Sequence, residues 1–259
     1  MSSVIQTAER SSRTDPSENV IFQRHLIAYK EASRLISGTV LEIGSGEGYG
    51  LKELSKKADK YFAVDKYHTE IPKSIKSETN IQFKQMSVPP LDGISDNSID
   101  YVVTFQVIEH IVDDKGFIAE IYRVLKKGGK LILTTPNKLM SLSRNPWHIR
   151  EYNPQEMIEI VKTSFDNFDI MGIFGNDKVK KYYEKNKQSV QKYQRLDFLN
   201  LENHLPRWIL RIPYDILNRL NRYKLQDNNE DLVAKIKYTD YYIDTNNDMC
   251  LDFFCIATK

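Results

Sequence analysis

Apolar residues along this chain recur with two different periods. Between Ser17 and Ser37, Val20, Ile21, Ile27, Ala28 and Leu35 follow helical spacing, and Gly38 offers a stop. Downstream, runs of strand character stand at 39–44 (TVLEIG), 60–65 (KYFAVD), 81–86 (IQFKQM), 99–105 (IDYVVTF) and 130–136 (KLILTTP). Helical patterns fall between several of them, at 49–58 and 114–128. In the second, Phe117, Ile118, Ile121 and Leu125 form one apolar face ahead of two lysines and Gly128-Gly129. A further helix over 154–163 opens with Asn153 as N-cap, Pro154 in its first turn and Glu156 at the third position. Strands that alternate with helices predict a parallel sheet covered on both faces.

Two late strands follow, at 168–175 and 248–259, with about 70 residues between them, far more than a hairpin needs. The expected organisation is a flexible tail over 1–16, a sheet domain over 17–175 and 248–259, and an inserted, mostly helical cap over 176–247. Within that cap, 178–195 holds seven basic residues, one acid and three tyrosines. Residues 204–225 combine Leu205, Trp208, Ile209, Ile212, Ile216, Leu217 and Leu220 with four arginines. Such a basic amphipathic segment either docks on its own domain as a lid or makes peripheral contact with a membrane. Pro206 and Pro213 divide it and predict two short helical pieces.

Composition narrows the classes. With 259 residues, 41% hydrophobic and 28% charged, the chain can bury one sizeable core beneath a charged surface. A net charge of +2 argues against nucleic acid as a partner. Cys250 and Cys255 match no metal or redox spacing, and the polar N-terminus lacks the apolar stretch of a signal peptide. No run of about 18 apolar residues is present to span a membrane. A cytoplasmic location is the expectation.

Candidate chemistry begins at 40–50, VLEIGSGEGYG, where a strand runs into four glycines with Glu42 just ahead. A glycine-rich turn between strand and helix exposes backbone N–H groups at the sheet's edge, which suits a nucleotide-like ligand. Asp65 closes the next strand 21 residues after Gly44, where a carboxylate can accept both hydroxyls of a ribose. The dinucleotide fingerprint needs glycine at position 49, which is Tyr49. A carboxylate ahead of the loop also repels a pyrophosphate and favours an ammonium or sulfonium. S-adenosyl-L-methionine carries both cations and a free diol.

The motifs VLEIGSGEG, AVDK, SDNSIDYVVTFQVIEHI and IYRVLKKGGKLILTTPN, together spanning about 39–137, resemble a class I S-adenosylmethionine-dependent methyltransferase. The likeness is to the group containing the ubiquinone and menaquinone biosynthesis methyltransferases. It implies a Rossmann-like α/β sheet of seven strands, six parallel and the last antiparallel, with helices on both faces. By that resemblance Glu42, Gly44, Ser45 and Gly46 surround the methionine end, Asp65 binds the ribose, and Met86 and Ser87 flank the adenine. Phe105 and Gln106 line the sulfonium region. Relatives often have aspartate where Ser87 stands, and some bind a metal through an E-x-x-E-H pattern whose first position here is Gln106, so with Glu109 and His110 alone no metal is expected. His148 and His110 are the candidate bases, and Trp147 and Tyr152 the candidate walls of the acceptor pocket.

The expected reaction is methyl transfer from S-adenosylmethionine to an O or N atom of a small molecule, lipid-linked, aromatic or glycan-like, by in-line displacement. Positioning alone can supply about 7–11 kcal/mol in such a step. Two other readings compete: a catalytically silent module that keeps the cofactor fold as a scaffold, and a nicotinamide-dependent oxidoreductase.

Overall fold

The computed structural model describes residues 15–46, 48–67, 80–195, 197 and 200–259. The tail expected at 1–16 lies outside them except for its last two residues. Residues 25–140, 149–174 and 243–259 form one compact unit, here the sheet unit. The described residues within 15–24, 141–148 and 175–242 form a second, helical one.

The sheet unit is built on β1 (Thr39–Ile43), β2 (Lys60–Asp65), β3 (Ile81–Gln85), β4 (Ile99–Phe105), β5 (Leu125–Pro136), β6 (Asn167–Gly175), β7 (Tyr241–Thr245) and β8 (Asp252–Thr258). Their order is β3-β2-β1-β4-β5-β8-β6-β7. β1 pairs in parallel with β2 and with β4, β2 with β3, and β4 with β5, whereas β8 runs antiparallel to both β5 and β6. Among the described residues the sheet thus has eight strands where seven were expected. The additional one, YYIDT at 241–245, has residues of strand preference (Tyr, Tyr, Ile and Thr) at four of its five positions and lies at the edge of the sheet. It was hidden inside the span assigned to the insertion.

Helices α1 (Asn19–Leu35), α2 (Tyr49–Leu54), α3 (Asp114–Val124) and α4 (Pro154–Lys162) follow the predicted periodicity. Asp113 caps α3 by accepting from Gly116 N, and the α4 capping box forms as its sequence implies. α3 stops four residues earlier than its periodicity suggests. Leu125 opens β5, where it pairs with Ile99 and is fully buried. Strand pairing overrides the helical pattern there. The core is apolar and continuous: Leu41, Ile43, Val102, Phe117, Ile118, Ile121, Leu131, Leu133, Phe165 and Phe253 are all essentially inaccessible.

The helical unit contains α5 (Asp177–Gln194), α6 (Leu201–His204), α7 (Arg207–Asn228) and α8 (Glu230–Lys235). The predicted break between two helical pieces falls at Pro206, the N-cap of α7, but not at Pro213, which sits inside that helix. Proline costs one main-chain hydrogen bond mid-helix, and 22 residues of helix absorb that loss.

Candidate active site

The parallel strands deliver their C-terminal ends to one edge, and main-chain bonds hold those ends in register. Gly44 N and Ser45 N both donate to Val64 O, Met86 N donates to Asp65 O, and Gln106 N donates to Thr134 O. The exits of β1, β2, β3 and β4 therefore lie side by side. These exits carry Glu42, Gly44, Ser45, Gly46, Asp65, Met86, Ser87, Phe105 and Gln106, the residues that the sequence assigned to a cofactor.

Glu42 is 1% exposed, an unusual position for an acid. Tyr29 of α1 donates its hydroxyl to Oε1 at 2.8 Å, and Tyr61 of β2 donates to Oε2 at 2.7 Å. Burial pushes the Glu42 carboxyl up to about 6 against the pull of these two hydrogen bonds, and the Asp65 charge adds to the rise. Burial, then Glu42 itself, raises the Tyr61 phenol well above its ordinary value. The clamp explains Gly50, because a Cβ there would stand 2.2 Å from the Tyr29 ring and 2.4 Å from Glu42 Oε1. Neither tyrosine was read from the sequence as functional. Tyr61 lies at an inward position of its strand, which was the available signal.

Gly44 adopts φ +82°, and a Cβ there would meet Val107 at 2.3 Å. Position 44 needs glycine for both conformation and space. Asp65 faces the loop: its Oδ2 accepts from Gly46 N and its Oδ1 from Tyr67 N, each at 2.8 Å. A carboxylate offers about four acceptor positions, so a diol can still be bound. Among the described residues, Ser45 Oγ is buried with no hydrogen-bond partner, and no atom outside the loop's immediate chain neighbours lies within 4 Å of where a Cβ on Gly46 would stand. An unsatisfied hydroxyl and open backbone beside two carboxylates fit the amino-acid end and nucleoside of S-adenosylmethionine.

The remaining positions divide. Gln106 has a left-handed backbone, φ +56°, and directs Nε2 to Thr134 Oγ1 at 3.3 Å. Strain in a non-glycine residue at a strand exit is a common feature of binding sites. Phe105 is nearly buried and meets the Tyr29 ring edge-on at 4.8 Å. Met86 packs partly against the core, whereas Ser87 is exposed. His110 is half-buried on the short turn after β4. Its neighbour Glu109 is buried, accepts from Thr135 Oγ1 at 2.9 Å, and holds Ile149 N and Arg150 N on its carbonyl. Glu109 thereby braces this turn.

Tyr152, expected to wall the acceptor pocket, lies in the core at 1% exposure. Its hydroxyl donates to Asp114 Oδ2 at 2.9 Å, and burial together with that carboxylate raises its pKa. Tyr152 belongs to the hydrophobic core cluster of the sheet unit. Trp147 and His148 belong to the helical unit. The Trp147 indole donates to Asp215 Oδ1 at 2.9 Å and carries the Arg211 guanidinium 4.5 Å above its ring. His148 Nε2 lies 2.8 Å from the Asn145 amide nitrogen, which can only donate, so that ring nitrogen is the acceptor.

Comparison with known proteins agrees with this geometry. A family model described as "Methyltransferase domain" matches residues 41–133, from β1 into β5. A Mycolicibacterium smegmatis protein described as "Probable S-adenosylmethionine-dependent methyltransferase" is 34% identical over 175 residues, 65% of this chain and 68% of that one. A ubiquinone biosynthesis O-methyltransferase from Xanthomonas oryzae is 28% identical over 40% of this chain and 45% of its own length. In fold, the crystal structure of an S-adenosylmethionine-dependent methyltransferase from Thermotoga maritima superposes with a TM-score of 0.54. That match covers 92% of this chain and 91% of the other, at 15% identity. The oxidoreductase and silent-module readings fall away, and the cofactor is S-adenosyl-L-methionine. A glycine loop closed by two carboxylates, on a sheet of this order and with these relatives, makes the chain a member of the S-adenosylmethionine-dependent methyltransferases.

Proposed function

We propose that this methyltransferase acts on an O or N atom of a small, lipid-linked, aromatic or glycan-like acceptor, by direct in-line displacement. The observation that carries the reading is the doubly clamped Glu42 beside Asp65, with the unsatisfied Ser45 hydroxyl between them in sequence. S-adenosylmethionine supplies an already activated methyl group. The chain's own residues then have to bind, orient and exclude water. Glu42 and the 44–46 backbone would hold the amino-acid end, Asp65 the ribose, Met86 and Ser87 the adenine side, and Phe105 and Gln106 the region of the sulfonium.

Direct transfer is supported by the state of the thiols. Burial pushes both Cys250 and Cys255 up to about 12, which removes them as nucleophiles near neutral pH. The same protected, unpaired thiols suit a reducing cytoplasm. Of the two histidines, His110 is the better candidate base, because the His148 Nε2 lone pair is used by Asn145. The name of the Xanthomonas oryzae relative favours oxygen over nitrogen as the acceptor atom.

Incubation with S-adenosylmethionine and a metabolite extract, followed by mass spectrometry, is expected to reveal one species that gains a methyl group. His110→Ala is expected to lower turnover about 100-fold with unchanged cofactor affinity. Full turnover in that variant removes the base role from His110.

A further inference from the structure

α7 is amphipathic the wrong way round for a helix that simply packs on its own unit. Its solvent-facing side carries Ile212, Trp208, Leu220, Ile216, Leu217 and Tyr223, at 72, 71, 56, 54, 47 and 42% exposure. Five of these, all but Leu217, fall within a 120° arc at 100° per residue. Around the rest of the helix polar residues are engaged, and the side opposite the stripe is buried at Asn221 and Leu225. Asn221 donates to Asn186 and accepts from Ser189 of α5, Arg222 pairs with Glu18, and Asp215 accepts from Trp147. Leu225 is the buried apolar residue of that inward side. The helix is held in its unit by polar contacts while its apolar stripe faces water. A row of this many large exposed apolar side chains marks an interaction surface.

Charge selects the partner. Residues 175–242 hold fourteen Lys and Arg against nine Asp and Glu, whereas the whole chain holds 37 against 35. The rest of the chain is therefore net acidic, and positive charge is concentrated on the unit that presents the stripe. Arg219 lies within the stripe's arc and Lys224 beside it, both exposed. A second copy of this chain would bring one basic unit against another. An anionic bilayer instead accepts the aromatic and aliphatic side chains among its acyl chains and the cations among its headgroups. Trp208 and Tyr223 have the amphipathic rings that favour the headgroup level. No helix among the described residues is long and apolar enough to cross a membrane.

We infer that the outward face of α7, from Trp208 to Tyr223, docks this protein peripherally on an anionic lipid surface. The contact is independent of the methyl acceptor, and it would put the protein where a lipid-linked molecule is concentrated.

Flotation of the full chain with phosphatidylglycerol/phosphatidylcholine vesicles, and with phosphatidylcholine alone, tests it. Binding is expected to the anionic vesicles, to weaken with added salt, and to fall about tenfold or more in Ile212→Glu/Ile216→Glu. These positions are exposed, so the variant should fold; an unchanged melting temperature and cofactor affinity verify that. In a Trp147→Phe background, Trp208 fluorescence should shift to the blue with anionic vesicles and be quenched by brominated lipid. Equal binding to neutral and anionic vesicles overturns the electrostatic half. Absence of binding overturns the inference whether the chain is monomeric or not. A concentration-dependent dimer abolished by the same double variant would assign the face to a second copy.

Discussion

The exits of β1 and β2 and the helix α7 both break the simplest rule of folding, in opposite senses. At the strand exits an acid is buried: Glu42 sits at 1% exposure, where burying a carboxylate is costly, and two tyrosine hydroxyls offset part of that cost. Along α7, apolar side chains are left in water while Asn221 is buried and hydrogen-bonded to α5. In each place the deviation identifies something the fold alone does not need. The buried acid implies a cationic ligand. The exposed stripe implies an apolar surface to cover it. The sheet unit buries other acids as well, among them Glu109 and Asp114, and there Thr135 and Tyr152 hydroxyls donate to the carboxylates within the packed core.

The sharpest test of the strand exits lies in the glycine loop. Gly44→Ala forces an L-residue into φ +82° with its Cβ 2.3 Å from Val107. Strain and overpacking together should cost about 3 kcal/mol, read as a drop in denaturation midpoint, with cofactor binding lost even where the protein stays folded. A neutral result would mean that the loop is softer than the comparison assumes.

Next in size is the pH dependence carried by Glu42. Its folded-state pKa lies near 6, above the ordinary 4.5. The stability it contributes is thus fully present below about pH 4.5 and is lost as pH rises through 6, a change of roughly 2 kcal/mol. Glu42→Gln should remove that loss. Relative to the parent, the variant's apo stability should rise between pH 5 and 8 by up to about 2 kcal/mol, while its affinity for the cationic cofactor falls. Parallel stability profiles for the two proteins would show that Glu42 is not a destabilising buried charge.

Asp65→Ala should be smaller in stability but clear in binding, weakening S-adenosylmethionine by about tenfold or more by calorimetry. The Gly46 and Tyr67 amides lose their acceptor as well, so part of the effect reflects a loosened loop. Asp65→Asn, which keeps an acceptor oxygen, should recover part of the affinity. No recovery would place the whole effect in the charge.

How far the sequence could be read follows the same division. β2 and β4 match their predicted spans residue for residue, because a central parallel strand must be apolar on both faces and its run is hard to mistake. Glycine spacing and the strand-end acid picked out positions that the fold brings to one sheet edge, for a similar reason, since one backbone geometry demands them. Tyr29 and Tyr61 were not legible as partners of Glu42, since they come from α1 and β2 and meet only in the fold. The burial of Tyr152 and its bond to Asp114 were not legible, because an aromatic after β5 reads equally as wall or as core. Along 204–225 the sequence showed an amphipathic segment but could not tell which face would turn outward. That choice was made by Asn186 and Ser189 on a different helix.

The smallest expected effect is therefore the most pointed. If α7's stripe were latent core, Ile212→Glu/Ile216→Glu would destabilise by several kcal/mol, as core-to-charge substitutions do. At 72 and 54% exposure the two side chains have little packing to lose, so the change in unfolding free energy should stay within about 0.5 kcal/mol per site. The variant should also be less prone to self-association, since it removes water-exposed apolar area. A large loss of stability in dilute solution would mean that the stripe is covered by the chain's own residues. Glu42 would then stand alone as the position where this fold gives up stability for a ligand.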